Sequence, residues 1–311
     1  MIFTVIINLL EWLIIIISLL ISIAYLTLIE RKVLGILQRR KGPTVVGILG
    51  LLQPFADGLK LVVKEGILPN MSSSFLFLIS PIIFFFLSFL IWSLIPINYN
   101  FVYADINLSI IYILAITSLS VYGIIISGWS SNSKYSFLGS LRSSSQMISY
   151  EVSIGFILLP LAIFTSSFSL IDWINHQDFI YFFIPFHPLL GLLILSNLAE
   201  TNRPPFDLPE AESELVAGYT TEFSSIGFVL FFIAEYGNII FLSLLTSIIF
   251  FPNVISFAFF MFLFIWVRVA LPRYRFDQLL RLGWKVLLPL SLAFLSLYSS
   301  YFIWAQYFFI N

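Results

Sequence analysis

Residues 12–30 read Trp12-Leu-Ile-Ile-Ile-Ile-Ser-Leu-Leu-Ile-Ser-Ile-Ala-Tyr-Leu-Thr-Leu-Ile-Glu30, and the chain continues Arg31-Lys32. No charge falls between Trp12 and Ile29, and then three charged residues follow in succession. A helix crossing the hydrocarbon core needs roughly 20 apolar residues. This stretch, with the apolar residues before it, reads as a membrane helix ending at a charged boundary. No Lys or Arg precedes Arg31, so the basic flank of a signal peptide and the Arg-rich character of a transit peptide are missing. The segment is therefore expected to be retained.

The rest of the chain repeats the pattern. Of 311 residues, 60% are hydrophobic and 10% charged, against about a quarter charged in an ordinary soluble domain. Mean hydropathy is +1.03. Soluble one- or two-domain folds are excluded, and a formal net charge of −1 gives no footprint for nucleic acid. With no Cys, the chain offers no disulfide, thiolate zinc site or Cys-ligated iron–sulfur cluster. His176 and His187 are the only histidines, too few for bis-His haem or copper sites of the usual kind. No metal ligation is expected.

The expected fold is all-α: residues 1–311 form a single integral membrane domain of eight transmembrane helices. The spans are placed at about 3–29, 75–96, 108–129, 151–169, 180–199, 223–250, 254–271 and 286–308. Pro252-Asn253 marks the turn between the sixth and seventh. Charge sorting supports this count. Arg31, Lys32, Arg39, Arg40, Lys41, Lys60 and Lys64 follow helix 1, and Lys134 and Arg142 follow helix 3. Arg203 follows helix 5, and Arg268, Arg273, Arg275, Arg281 and Lys285 surround the end of helix 7. These are all 15 basic residues. The positive-inside rule puts the four connections on the cytoplasm-like side and both termini on the other. An odd number of spans would break the sorting. No internal repeat stands out, which weakens an inverted-repeat transporter reading.

Between Gly42-Pro43 and the second span, Leu52, Phe55, Ala56, Leu59 and Val63 follow one helical stripe. Gln53, Asp57, Lys60 and Lys64 follow another. That pattern suits an amphipathic interfacial helix after helix 1. It either touches lipid headgroups or walls a site between membrane and partner.

Carboxylates placed within spans are expensive, about 2.5–3.5 kcal/mol each on insertion scales. Glu235 lies twelve residues past Phe223, about 18 Å along a helix and so near mid-membrane. No Lys or Arg in the apolar spans is deep enough to neutralise it. Such a group is neutral or sits in a hydrated cavity, and it can serve a proton relay; the plainer alternative is a single hydrogen bond to a neighbouring helix. Glu11 lies within helix 1, nearer the edge, where the plainer reading is favoured. Glu30 closes helix 1, Glu151 opens helix 4 and Glu200 closes helix 5.

Connection 5–6 carries Glu200, Asp207, Glu210, Glu212 and Glu214 with a single Arg203. Pro204, Pro205 and Pro209 forbid a continuous helix before Glu210. The Asp207/Glu210 spacing suits a capping box, with a helix beginning near Leu208. An acidic patch on a side that should be basic points to holding protons, a cation or a basic partner; a solvated loop is the alternative. The Ser-rich stretch 130–149 is studded with Leu, Phe and Met and reads as a short helix leading into Tyr150-Glu151. Asn70-Met-Ser72 and Asn107-Leu-Ser109 match the glycosylation sequon only weakly, and no Walker or dinucleotide fingerprint is present.

Four blocks together carry a resemblance. The first is Glu30-Arg-Lys-Val-Leu-Gly-Ile-Leu-Gln-Arg-Arg-Lys-Gly-Pro43 with Gln53-Pro-Phe-Ala-Asp-Gly-Leu-Lys60. The second runs from Gly128-Trp-Ser-Ser-Asn-Ser-Lys-Tyr135 through Ser149-Tyr-Glu151. The third runs from Glu200-Thr-Asn-Arg-Pro-Pro-Phe-Asp207 to Gly218 and on to Ala234-Glu-Tyr236. The fourth is Arg273-Tyr-Arg-Phe-Asp-Gln-Leu279 with Gly283-Trp-Lys285. In this order they resemble the subunit-1 family of respiratory complex I, the NADH–ubiquinone oxidoreductase, in a form that looks mitochondrially encoded.

The resemblance implies eight helices and a subunit joining the membrane arm to the peripheral arm. It implies ubiquinone as substrate, with iron–sulfur clusters, FMN and NADH held by partner subunits. Other membrane-arm and peripheral-arm subunits and lipids are the implied partners. Arg31, Gln38, Arg40, Asp57 and Arg203 would line or support a quinone chamber, with Phe206 and Phe223 as aromatic neighbours. Glu30, Glu151, Glu200, Asp207, Glu210, Glu212, Glu214, Glu222 and Glu235 would form a proton path toward pumping subunits. Arg142, Arg273, Arg275 and Asp277 would fix that cluster and the interface on the basic side. The implied location is the mitochondrial inner membrane, termini toward the intermembrane space and basic loops in the matrix. Phe223 departs from the Tyr usual there, and Ser140 and Ser143–Ser145 replace a more Ala-rich run. A stand-alone proton- or cation-coupled transporter explains the buried acids but not the long ordered motifs. A purely architectural anchor leaves Glu235 unexplained.

Overall fold

The computed structural model describes residues 2–96, 102–178, 180–207 and 218–310, with side chains described from residue 10 to residue 304 within those limits. Glu210, Glu212, Glu214 and the helix expected near Leu208 lie outside the described residues. Among the described residues the fold is entirely helical, without strands. In chain order the α-helices are α1 (Ile2–Leu37), α2 (Gln53–Val63), α3 (Ser74–Leu90) and α4 (Ser109–Ser130). They continue with α5 (Lys134–Thr165), α6 (Leu170–His176), α7 (Phe183–Glu200) and α8 (Ser225–Phe250). The last are α9 (Val254–Ala270), α10 (Phe276–Arg281) and α11 (Leu288–Ile310), with a π-helical segment, Leu282–Leu287, joining α10 to α11.

Seven helices among the described residues are long and apolar enough to cross a membrane: Leu10–Leu37, Ser74–Leu94, Ser109–Ser130, Lys134–Thr165, Phe183–Glu200, Ser225–Phe250 and Phe276–Trp304. The eighth expected span is present as apolar α9, but it has only 17 residues. Pro252 precedes it and Pro272 follows it, so its length is set by residues that cannot continue a helix.

Two helices outrun the expected boundaries. The apolar run of α1 stops at Ile29, yet the helix continues to Leu37 through Glu30, Arg31 and Lys32. The span expected over 151–169 begins instead at Lys134, absorbs the Ser-rich stretch and ends at Thr165. The serines are satisfied without leaving the helix. The hydroxyls of Ser140, Ser143, Ser144, Ser149 and Ser153 each donate to the carbonyl three residues back. Their small size also allows close approach. A Cβ on Gly128 of α4 would meet the Ser140 hydroxyl oxygen at 2.0 Å. One on Gly139 would meet the Gly218 Cα at 2.7 Å. Small residues at helix contacts are the usual means of tight packing in membranes. Here they press α5 against α4 on one side and against the 218–220 turn on the other.

The core runs along α5, α6, α7 and α8, with Tyr150, Ile157, Leu161, Trp173, Phe186, Leu193 and Phe250 almost wholly buried. A second cluster of Phe77, Phe84, Val121, Met147, Tyr219, Phe223 and Phe231 joins α3, α4, α5 and α8. Large apolar side chains such as Ile14, Phe75, Ile82, Phe86 and Ile303 face outward, as a lipid-facing surface requires. The packing brings the ends of α1, α7 and α9 and the start of α8 together around connection 5–6.

Candidate functional site

Glu235 lies ten residues past Ser225, the first residue of α8, so about 15 Å along the helix. The sequence places no cation deep enough to reach it, and the structure corrects this. Arg203 of connection 5–6 brings Nη2 to 3.9 Å from a Glu235 carboxylate oxygen. The other oxygen accepts the Tyr219 hydroxyl. The correction has a physical reason: the described parts of connection 5–6 fold inward. Arg203 is 8% exposed, Phe206 1% and Tyr219 1%. Gln146 on α5 draws the connection in by donating from Nε2 to the carbonyls of Ala199, at 2.7 Å, and Phe206, at 2.9 Å.

The network continues past Arg203. Its guanidinium carbon stands 4.3 Å from the centre of the Tyr236 ring. The Tyr236 hydroxyl donates to Glu30 Oε2 at 2.5 Å, and Glu30 Oε1 accepts from Arg268 on α9. Tyr219, Glu235, Arg203, Tyr236, Glu30 and Arg268 thus form one connected line. A cavity of about 20 Å³ lies beside it, lined by Leu26, Glu30, Thr201, Arg203, Tyr236 and Arg268 among others. That is room for about one water molecule. Two carboxylates and two guanidiniums compensate one another, which is what burial of ions requires.

Tyr219, Tyr236 and Arg268 are the members that sequence reasoning did not assign to the site. Arg268 carried a usable signal, since a cation inside an apolar helix end needs a partner. The tyrosines carried none, because Tyr at a membrane boundary is equally expected of an aromatic belt.

Other expected residues fall into separate groups. Glu151 on α5 accepts from the Thr117 hydroxyl of α4 at 3.5 Å. Glu200, at the end of α7, lies close enough to Glu151 for their charges to interact. Asp207 Oδ2 accepts from Arg273 at 3.1 Å. Beside that pair Phe206 stacks on Tyr274, centroids 5.4 Å apart and planes 9° from parallel. Tyr274 N donates to the Pro205 carbonyl at 3.0 Å. Arg142 stands 5.8 Å from the Phe276 ring centre. Arg275 caps α10, its N–H donating to Gln278, and Asp277 sits in that helix's first turn. Glu222 is half-buried between the 218–220 turn and α8.

At the far end of α1, Arg31 Nη1 donates to Asp57 at 2.6 Å, and Gln53 donates to the same carboxylate at 3.0 Å. Arg40 donates to Gln38 at 2.8 Å. Arg31 and Asp57 thus pair where α2 meets α1, while Gln38 and Arg40 form a separate exposed pair just past the end of α1. Phe223 does not join them. It stacks on Phe77 at 4.1 Å, with planes 3° apart, inside the second core cluster. The residues expected around a quinone are therefore dispersed: at the ends of α1 and α2, in the buried network at Arg203, in the stacking of Phe206 on Tyr274, and in the separate stacking of Phe223 on Phe77.

Fold and site together define a polytopic helical membrane protein whose scarce charges are gathered into buried, compensated networks. The family model described as NADH dehydrogenase matches residues 10–299. The chain is similar to NADH-ubiquinone oxidoreductase chain 1 of Chondrus crispus, 53% identical over 304 residues covering 92% of this chain and 93% of that one. It is similar to the chain 1 of Arabidopsis thaliana, 53% identical over 298 residues covering 90% and 92%. It is also similar to an NADH-quinone oxidoreductase subunit of Paramagnetospirillum magneticum, 52% identical over 304 residues covering 92% and 89%. The chain belongs to the NADH dehydrogenase family, as a complex I subunit 1. It is a multi-pass membrane subunit of an NADH–quinone oxidoreductase, and other subunits of that complex are its partners. The stand-alone transporter reading is set aside by this membership.

Proposed function

We propose that this subunit forms part of the ubiquinone chamber and starts an acidic path that couples quinone reduction to proton translocation. The observation that carries the reading is the buried line from Tyr219 through Glu235, Arg203, Tyr236 and Glu30 to Arg268. It links connection 5–6 to the end of α1, from which Arg31 extends toward α2. A change of charge on a quinone near that end alters the balance of the whole line, because the groups interact in a poorly screened interior. Carboxylates in such a line then gain or lose protons, and Glu151 and Glu200 continue the path across α5 and α7. Glu210, Glu212, Glu214 and Glu222 extend it along connection 5–6.

Arg31, Gln38, Arg40 and Asp57 line the chamber mouth, with Arg203 and Phe206 deeper inside. Phe223 supports the wall through Phe77. Arg142, Arg273, Arg275 and Asp277 hold connection 5–6 and the interface with the peripheral arm. Electrons come from an iron–sulfur cluster of a neighbouring subunit, supplied by FMN and NADH farther away. The chain crosses the membrane eight times, α9 included, and α2 lies in the interface with its apolar Leu59 and Val63 outward. Phe-rich spans support a mitochondrial inner membrane, with basic connections in the matrix and both termini in the intermembrane space.

Two sets of variants of the assembled complex test this. Arg31→Ala and Asp57→Ala are expected to change quinone or quinone-site inhibitor kinetics; unchanged kinetics in both would remove them from the chamber. Glu235→Gln and Glu151→Gln are expected to impair proton pumping per assembled complex, Glu235→Gln also at a lowered yield because it leaves the Arg203 charge uncompensated. Normal pumping in both would end the relay reading.

A further inference from the structure

No residue of α2 is buried, although the helix lies against both α1 and α8. Side-chain burial therefore does little to place it, and a few directed bonds must do so. Two of them come from α1. Lys32 Nζ donates to the Leu49 carbonyl at 2.6 Å, just ahead of α2, and Arg31 pairs with Asp57 within α2. A third tie lies on the opposite side. Beyond the end of α2, the Ile67 N–H donates to the Ser224 hydroxyl oxygen at 2.8 Å, and that hydroxyl donates to the Glu65 carbonyl at 3.5 Å. Ser224 immediately precedes α8, so a single hydroxyl closes on two backbone groups of a segment far away in the sequence.

Ser224 occupies the N-cap of α8, where a serine hydroxyl ordinarily accepts a bond from the N–H two or three residues on. Here it makes no such capping bond; the hydroxyl serves the remote segment instead. The backbone beside it is also unusual. Ser225 has φ 53, a left-handed conformation that residues with a Cβ rarely adopt and that persists only where the surroundings hold it. On the other side of Ser224, Phe223 is buried and stacked on Phe77 of α3. The hydroxyl is thus carried by a firmly packed part of the chain, and α2 is the part in need of support. We infer that Ser224 is a positioning residue for the quinone reaction: its hydroxyl clamps the end of α2 to the start of α8, and so fixes where Asp57 meets Arg31. Without that bond α2 is free to pivot about the Arg31–Asp57 pair. The part played in the quinone reaction rests on the chamber proposed above; the clamp itself does not.

The test compares wild type, Ser224→Ala and Ser224→Thr in the assembled complex. Alanine removes the clamp without uncapping α8, because the hydroxyl makes no capping bond, and threonine keeps a hydroxyl while suiting an N-cap. Hydrogen exchange of the segment around Ile67, followed by mass spectrometry, reads the clamp directly. The Ile67 amide is expected to exchange several-fold faster in Ser224→Ala than in the wild type, and at the wild-type rate in Ser224→Thr. KM for a short-chain ubiquinone is expected to rise several-fold in Ser224→Ala with little change in kcat, and to return in Ser224→Thr. A merely structural serine would lower the amount of active complex and leave KM where it was. Ile67→Pro removes the same bond from the donor side and is expected to raise KM alike, so the inference is open to failure even if Ser224→Ala does not assemble. Equal exchange in wild type and Ser224→Ala would overturn the clamp. An unchanged KM in Ser224→Ala or Ile67→Pro, with altered kinetics in Arg31→Ala and Asp57→Ala, would overturn the positioning role and leave the chamber standing. Unchanged kinetics in Arg31→Ala and Asp57→Ala would overturn the chamber and the positioning role together.

Discussion

Arg203 and Glu235 illustrate how a buried ion pair constrains single residues. Each is mostly enclosed, side chains 10% and 13% exposed, and each neutralises the other in surroundings that solvate ions poorly. Removing one partner of a buried pair typically costs about 3–5 kcal/mol, because the other charge is left uncompensated. Arg203→Gln is therefore expected to lower the amount of assembled complex and to speed its thermal inactivation. Arg203→Gln with Glu235→Gln is expected to recover much of that loss, since no lone ion remains. Native-gel yield and inactivation half-life of the two variants measure the difference. A double variant no better than Arg203→Gln would mean that the arginine matters through other contacts, such as its stacking on Tyr236. At this scale the sequence was half legible. An acid within an apolar helix is conspicuous, and Glu235 could be found from composition and position alone. Its cation could not, because Arg203 reads as a loop residue following a helix end. Only the inward fold of connection 5–6, drawn by the Gln146 bonds, brings the two together.

Helix α5 carries the next level of constraint. It is a single helix from Lys134 to Thr165, yet it touches α4, α7, α11 and the 218–220 turn. Such density is possible because it presents Gly and Ser where neighbours come closest. A Cβ on Gly139 would stand 2.7, 2.8 and 2.9 Å from backbone atoms of Gly218 and Tyr219, and backbone cannot rotate aside. Gly139→Ala is expected to push away the turn that holds Tyr219 against Glu235, with a cost of about 1–3 kcal/mol for overpacking. Gly191→Ala is the control, since nothing stands within 4 Å of its Cβ position. It should be neutral or slightly stabilising, as Ala is favoured over Gly in helices. Thermal inactivation of the two complexes reads the contrast; equal stability would show that the turn moves freely. The length of α5 was not legible beforehand. The Ser-rich stretch looks like a connection because serine competes with helix through its own backbone bonds. Here those hydroxyls bond within the helix instead, so a polar segment and an apolar span join without a break. The interior of α5 shows why: it is flanked on several sides by other helices that need small residues.

For the whole molecule, charge sorting is the most legible feature and the one most open to direct test. All 15 Lys and Arg fall in four connections or beside them, while Asp105 and Asp178 stand in connections without a cation. Eight crossings in that order would keep the alternation, and the weakest link is α9. The 17 residues of that helix span about 25 Å, against a hydrocarbon core of about 30 Å. A short helix can still cross, since the bilayer thins and flanking side chains reach outward at modest cost. If α9 did not cross, Lys285 and Arg281 would stand on the side opposite Lys41. The chain has no Cys, so single substitutions give the only thiol on this subunit. Lys41→Cys, Asp105→Cys, Asn253→Cys and Arg281→Cys all sit at exposed positions. A membrane-impermeant maleimide added to sealed membranes of either orientation, read on the band of this subunit, sorts them. Positions 41 and 281 are expected to label from one face, and 105 and 253 only from the other. Labelling of 253 and 281 from the same face would show that α9 turns back, reduce the count to seven and place the carboxyl end among the basic connections. It would also separate Arg268 from the depth at which Glu30 needs it, because that pairing puts the end of α9 level with the end of the apolar run of α1. The ion pair between Glu30 and Arg268 and the proposed one-sided placement of the cations therefore rest on the same condition, that α9 crosses.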